Sequence, residues 1–348
     1  MYMIINLPYK ILVEKSIDEK IKDILMQMHL GKNCAIICDE HVQKLIGDKI
    51  KEILSKSFNI EIINPISIEK TYLEELSERI KLFDFTIGLG GGRSIDATKY
   101  SSFLAAKPWI AFPTILSHDG VVSSRAVVNS NGDKVSVAAI EPIAIIGDLN
   151  TIKKAPYRWL AAGAGDLISN ISAVEDWKIA AKAGKEEYHT LMAELALLSA
   201  KGVINHVTDI REKTYHGLEI LLWSLICSGF AMNIYGSSRP CSGSEHNFSH
   251  ALEKLSTEKN IQVGLHGEQC GLGSIISSYL QGSNWKEIRD ILKSIDCPTT
   301  ASEIGIDKDL LIEALVLAPN IRGRYTVLNE HKIDRNKAEK ILEKVEII

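Results

Sequence analysis

Five short apolar runs punctuate the first half of the chain: "CAIICD" (34–39), "IEIINPI" (60–66), "DFTIGLG" (84–90), "PWIAFPT" (108–114) and "PIAIIGD" (142–148). Between them lie segments with helical spacing, such as 42–55 and 73–82. Strand-length runs alternating with amphipathic helices give a mostly parallel sheet covered by helices, an α/β unit. One stretch departs from the pattern. "SSRAVVNSNGDKVSVAAI" places two short runs around Asn-Gly-Asp at 131–133, which predicts a hairpin. Beyond about residue 152 the strands stop, and "RWLAAGAGDLISNISAVEDWKIAAKAG", "YHTLMAELALLSAKGVINHV" and "GLEILLWSLICSGFAMNIYG" are rich in helix formers. A chain of 348 residues exceeds the size at which one core stops growing. The expectation is therefore an α/β domain over 1–152 and an all-α domain over 153–348.

Charge and cysteine usage exclude several functions. Forty Lys and Arg against 44 Asp and Glu leave a formal charge of −4, with no bulk attraction for nucleic acid or an anionic membrane. "LLWSLICSGFAMNI" is apolar but short and interrupted by Ser and Gly, so it reads as a buried central helix instead of a membrane span. The N-terminus meets lysine and glutamate too early for a signal peptide. Six scattered cysteines without a CxxC pair suit a reducing compartment. A cytoplasmic protein acting on small molecules is expected, with self-association into a homo-oligomer through apolar patches on the helical domain.

"TIGLGGGRSIDATKYSS" sets Gly88, Gly90, Gly91 and Gly92 between an apolar strand and a helical pattern. Such a turn lets backbone approach a ligand and aims helix N-terminal N–H groups at a phosphate, or it simply makes a tight strand-to-helix connection. It is neither the usual Rossmann fingerprint nor a Walker loop: its glycines are contiguous, they follow the third predicted strand, and no GK[ST] follows. Asp39, closing the first run, suits either a ribose acceptor or a helix N-cap. The loop "FPTILSHDGVVSS", after the fourth predicted strand, brings Thr114, Ser117, His118, Asp119 and Ser123 to the same sheet edge; Asp119 before Gly120 also fits a plain turn.

Three later segments offer metal donors. "GAGDLISN" places Asp166 at what reads as the start of a helix, "SGSEHNFSHALE" carries His246 and His250 one turn apart, and "GLHGEQCGLGS" contains His266. A carboxylate with two imidazoles is a competent set for catalytic zinc, with positions left for water or substrate. A helix cap at Asp166 and a structural role for a histidine beside glycine are the alternatives.

Taken in order, "GLGGGRSIDATKY", "FPTILSHDG", "AGAGDLISN", "GSEHNFSHAL" and "GLHGEQCGLG" resemble the sn-glycerol-1-phosphate dehydrogenases of archaeal lipid synthesis. That family belongs to the superfamily of iron-dependent alcohol dehydrogenases, glycerol dehydrogenases and dehydroquinate synthases. The resemblance implies a dehydroquinate synthase-like fold with the active site between a nucleotide-binding domain and a helical one. It also implies reduction of dihydroxyacetone phosphate to sn-glycerol 1-phosphate by NADH or NADPH with one bound Zn²⁺. Carried onto this sequence, Asp166, His246 and His266 match the metal ligands, while His250, Asp119 and Asp166 match substrate contacts. Gly92, Arg93, Ser94, Ile95, Asp96, Thr114, Ile115, Leu116, Ser117 and Ser123 match nucleotide contacts, joined by Asp39 from its place at a strand end. His250, or a water relay past Asp119, would return the proton to the alkoxide. Arg239, Arg322 and Arg324 are the candidates for the substrate phosphate. A polyol dehydrogenase and, more remotely, a dehydroquinate synthase-like lyase are the competing readings; the lyases carry glutamate where this chain has Asp166.

Overall fold

The computed structural model describes residues 7–18, 20–130 and 132–348. The chain divides into two units, Met1–Leu116 with Gly120–Ala155 and Ser117–Asp119 with Pro156–Ile348.

The first unit is built on a six-stranded sheet: β1 (Lys10–Glu14), β2 (Asn33–Ile37), β3 (Asn59–Ile63), β4 (Phe85–Gly90), β5 (Trp109–Pro113) and β8 (Ala144–Asp148). Their order is β1-β8-β5-β4-β2-β3, and every neighbouring pair is parallel. Every residue of β4, β5 and β8 is buried, so strands that read as unbroken apolar runs are covered on both faces. Side-chain alternation splits the core in two. Cys34, Ile36, Phe85, Ile87 and Leu89 pack with Ile21 and Leu25 of α1 (Lys20–Met28) and Ile50, Ile53 and Leu54 of α2 (Asp48–Leu54). On the other face Ala35 and Ile37 meet Leu73, Leu76 and Ile80 of α3 (Lys70–Ile80) and Ala97 and Tyr100 of α4 (Gly92–Leu104). Each fully buried aliphatic or aromatic side chain contributes about 1.5–3 kcal/mol.

Two sequence expectations need correction here, and a third is met. The sheet begins earlier than expected: β1, "KILVE", is half-buried along its whole length and joins the edge by pairing with β8. The glycine turn thus follows the fourth strand and the polar loop the fifth. The 42–55 helix is realised as Glu40–Val42, a π-helical turn over Gln43–Gly47, and α2. The expected hairpin is present as β6 (Arg125–Ser130) antiparallel to β7 (Asp133–Ala138); Asn131 of its turn lies outside the described residues.

Strand order locates the ligand crevice of this unit. From β2 the chain passes to β3 on one side and then returns to β4 on the other. The carboxyl ends of β2 and β4 therefore flank the topological switch point, where open α/β sheets bind ligands.

The second unit is helical: α5 (Tyr157–Lys182), α6 (Thr190–Asn205), α7 (Tyr215–Tyr235), α8 (Ser244–Lys259), α9 (His266–Leu280), α10 (Trp285–Ser294), α11 (Lys308–Leu317) and α12 (Arg335–Lys344), with short helical turns between. The α5 helix is its axis. Its buried Asp176 accepts hydrogen bonds from the backbone N–H of Ser244 (2.5 Å) and Val327 (2.8 Å), tying the start of α8 to the chain that follows α11. α7 is long and apolar enough to cross a membrane by length and composition, and 61% of its apolar window is buried within this unit.

Asp166 does not open a helix. It is the tenth residue of α5, and Gly165 just before it serves packing. A Cβ on Gly165 would meet the Gly267 carbonyl oxygen at 2.7 Å, and one on Gly267 would meet that of Ala162 at 1.8 Å. Glycine lets the backbones of α5 and α9 touch, and this crossing brings Asp166 and His266 to one place.

Candidate active site

In the first unit, the polypeptide leaves β4 through Gly90 (φ +145°), a backbone conformation open mainly to glycine. Gly91 then sits at the N-cap of α4 with no side-chain cap, and a Cβ there would meet Ile115 Cδ1 at 2.6 Å. The first-turn N–H groups of Gly92, Arg93 and Ser94 thus have no capping side chain, an arrangement suited to a phosphate. Thr114 N donates to Gly90 O (3.0 Å), placing Thr114, Ile115 and Leu116 beside the turn. Asp39 stands just past the end of β2 on the other side of the switch point. It is exposed, and its Oδ1 caps the next helical turn by accepting from Val42 N (2.8 Å). Asp96 is committed differently from its neighbours. Its Oδ1 lies 3.3 Å from Nζ of the fully buried Lys99, which also donates to Arg125 O (2.7 Å) and Gly120 O, fastening the loop around Ser123 to α4. Ser123 is itself buried, with Oγ 3.4 Å from Arg125 O. The uncapped, glycine-lined helix start at a switch point fits the pyrophosphate of NAD or NADP.

In the second unit, four donors converge: ligand atoms of Asp166, His246, His266 and Cys270 lie within 4.8 Å of one another. Hydrogen bonds around the cluster determine which atoms face inward. Asn170 Nδ2 donates to Ser228 Oγ (3.1 Å), and Ser228 Oγ donates to Asp119 Oδ2 (2.6 Å). Asp119 N in turn donates to Asp166 Oδ2 (3.0 Å). The other oxygen, Asp166 Oδ1, is buried without a hydrogen-bond partner among the described residues. It faces Nε2 of His246 at 3.7 Å and Nε2 of His266 at 3.8 Å. These gaps are too long for hydrogen bonds. They are near the separation of about 3.4 Å that two metal bonds of about 2.1 Å produce at a tetrahedral angle.

Both imidazoles are oriented through their other nitrogen. His246 Nδ1 is 2.9 Å from Oε1 of the wholly buried Glu245, so it carries the proton and leaves the Nε2 lone pair free. Ser249 Oγ donates to Gln269 Oε1 (2.8 Å) and lies 3.2 Å from His266 Nδ1, which sets the same tautomer for His266. Burial, reinforced by Arg322, holds His246 well below the usual imidazole range, and burial with the neighbouring His246 does the same for His266. Both imidazoles are therefore neutral. Burial and Asp119 push the Asp166 carboxyl well up, a cost that a cation beside Oδ1 removes. An orphaned carboxylate oxygen between two neutral imidazoles fits a divalent metal.

Other predicted residues fall outside this donor set. His250 shares α8 with His246, but its ring centroid is 6.4 Å from those of both His246 and His266, and its Nδ1 lies 3.5 Å from Glu253 Oε2. His118 stacks edge-on to His266 with centroids 6.2 Å apart. Arg239 is a structural residue. It is buried, donates to Asp176 O (2.9 Å) and Tyr325 O (3.0 Å), and pairs with Glu186 at 2.6 Å, which ties it into the helical unit. Arg322 (to Asn247 Oδ1, 2.5 Å, and Ser242 Oγ, 2.8 Å) and Arg324 (to Ser242 O, 2.6 Å) are partly exposed at the start of α8. The glutamate of "HGE" bridges helices: Glu268 accepts from Leu265 N and takes two bonds from Arg158, at 2.6 and 2.8 Å. Sequence reasoning missed Cys270 and the orienting role of Glu245. For Cys270 a signal existed, since it stands four residues after His266 and thus on the same helix face.

A metal-competent donor cluster and a glycine-lined turn suited to a dinucleotide are the parts of a metal-dependent alcohol dehydrogenase, and residues 12–156 match the family model described as iron-containing alcohol dehydrogenase. The crystal structure of glycerol dehydrogenase from Schizosaccharomyces pombe matches with a TM-score of 0.80 at 18% identity, covering 99% of this chain and 90% of that one. Within the class, the chain is 41% identical over 343 residues to a glycerol-1-phosphate dehydrogenase (NAD(P)+) of Pyrococcus horikoshii, covering 97% of each. It is 40% identical over 340 residues to the protein of that name from Thermococcus sibiricus, covering 97% of this chain and 96% of that one. The chain belongs to the glycerol-1-phosphate dehydrogenase family, and it is an oxidoreductase.

Proposed function

We propose that this protein reduces dihydroxyacetone phosphate to sn-glycerol 1-phosphate with NADH or NADPH, supplying the glycerophosphate backbone of membrane lipids. One observation carries the reading: the unpartnered Asp166 Oδ1 faces two neutral Nε2 atoms in a chain so similar to enzymes of that name. Asp166, His246 and His266 would hold a zinc ion, whose Lewis acidity would stabilise negative charge on the C2 oxygen while the nicotinamide supplies hydride to C2. The remaining work falls to the chain. Glu245 and Ser249 hold the two imidazoles in the required tautomer, and Ser228 with Asn170 holds Asp119. His250, partly exposed beside Glu253, passes a proton to the C2 oxygen, with a water path past Asp119 as the alternative route.

The cofactor pyrophosphate is assigned to the N–H groups of residues 92–94, with Arg93, Ile95 and Asp96 in the same turn, and with Thr114, Ile115, Leu116, Ser117 and Ser123 around it. Asp39 would take the ribose hydroxyls. For the substrate phosphate we assign Arg322 and Arg324. Burial and neighbouring arginines lower their pKa to about 9 and about 10, so each gains from an anion beside it. Six free cysteines fit a cytoplasmic protein, and exposed Leu191, Leu198 and Trp223 on α6 and α7 fit a homo-oligomer.

The test is oxidation of NADH and of NADPH by zinc-loaded protein, comparing dihydroxyacetone phosphate with dihydroxyacetone. Phosphate-dependent turnover giving only the sn-1 enantiomer is expected. Preference for the unphosphorylated ketone would move the reading to a polyol dehydrogenase.

A further inference from the structure

We propose that Cys270 is a fourth protein ligand of the resting metal, so that this chain binds zinc through an Asp–His–His–Cys set. The proposal rests on the assignment of Asp166, His246 and His266 above and goes beyond it. His266 and Cys270 are one turn apart on α9, and Sγ lies 3.6 Å from His266 Nε2. Every pair of donor atoms in the group, the sulfur included, is within 4.8 Å. The backbone sets this placement: contact between Gly267 and Ala162 fixes α9 on α5, and Gly273 lies so close to α8 that a Cβ would meet Glu245 O at 2.7 Å. These close backbone approaches seat α9 against both α5 and α8, with the sulfur beside Asp166 and the imidazoles.

The surroundings argue against a purely space-filling thiol. A free buried cysteine ordinarily acts as a small hydrophobe among apolar side chains. Cys270 is 0% exposed, yet its Sγ shares its pocket with the orphaned oxygen of Asp166 and with His266 Nε2. On coordination the S–H bond breaks, a metal–sulfur bond forms, and the proton leaves to solvent, with no change of oxidation state. A thiolate makes the set softer than a carboxylate with two imidazoles alone, favouring zinc over magnesium or manganese.

The experiment is zinc K-edge X-ray absorption on full-length zinc-loaded protein and on Cys270→Ser. The wild type is expected to give one sulfur scatterer at about 2.3 Å beside nitrogen and oxygen at about 2.0–2.1 Å. The serine variant should keep one zinc, lose the sulfur shell and, in chelator competition, bind zinc at least about tenfold more weakly, since even removal of an outer-shell partner has that effect. A nitrogen-and-oxygen shell alone in wild type carrying one zinc would overturn the proposal. Turnover of dihydroxyacetone phosphate on the same samples separates the two readings. A sulfur shell without turnover leaves the ligand standing and removes the proposed reaction, and turnover without a sulfur shell does the reverse.

Discussion

Replacing Glu245 by glutamine changes charge at the candidate metal centre while leaving its shape intact. Oε1 of Glu245 accepts from both Gly243 N and His246 Nδ1, and Oε2 lies 3.2 Å from Ser172 Oγ. A glutamine can keep its oxygen toward the two N–H donors and turn its NH₂ toward Ser172 Oγ, which already donates to Ser169 O and is free to accept. No hydrogen bond need be lost. What disappears is the negative charge that makes His246 a stronger donor. Loss of such partners weakens metal binding about 10–100-fold, so Glu245→Gln should sit near the lower end, about 1.4 kcal/mol. Glu245→Ala should reach the upper end and also destabilise the metal-free fold by about 1–3 kcal/mol for each buried donor abandoned. Competition with a zinc-selective chelator measures the first quantity and urea unfolding of the metal-free protein the second. At fixed saturating zinc, the zinc-dependent part of the stability should fall by the same 1.4 kcal/mol or so in Glu245→Gln. If Glu245→Gln binds zinc as tightly as wild type, the orienting role assigned to Glu245 is wrong.

Three further outcomes follow from the packing and the charges. Gly267→Ala should destabilise the helical unit by at least about 1–3 kcal/mol in urea unfolding and lower zinc occupancy with it, because the added Cβ meets a backbone oxygen at 1.8 Å that cannot step aside. Lys99→Met strands the buried Asp96 carboxylate and two carbonyls, and should cost about 3–5 kcal/mol and raise the KM for NAD(P)H; unchanged cofactor kinetics would detach Lys99 from the loop proposed to hold the nucleotide. The Asp84 carboxyl is held below its usual range by hydrogen bonds from the N–H groups of Asn33 and Lys32. Its contribution is therefore complete above the unfolded-state pKa and lost as pH falls through the folded-state value. Asp84→Asn should be less stable than wild type at neutral pH, with the difference in urea midpoint shrinking in acid.

The strands buried on both faces were legible because continuous apolar runs of that length leave few alternatives. β1 was not: "KILVE" is short, flanked by charge and half-buried, and only its pairing with β8 makes it a strand. Asp166 was found as a donor but placed at a helix start, since Gly163 and Gly165 read as punctuation. The use of Gly165 in a helix interior depends on Gly267, about a hundred residues away, and no local pattern reports that contact. Arg239 looked available from its neighbours in sequence, yet its partners come from Asp176, Glu186 and Tyr325. Cys270 differs, because its spacing of four from His266, which puts both on one helix face, was visible in the sequence.

The most direct test of the account is to strip the protein of metal, return zinc in sub-stoichiometric steps, and measure zinc content and reduction of dihydroxyacetone phosphate on the same samples, with Asp166→Asn alongside. The expected result is no turnover without metal, turnover rising in proportion to bound zinc up to one per chain, and neither zinc nor turnover in the variant. Metal-free protein that turns over at the full rate would contradict it.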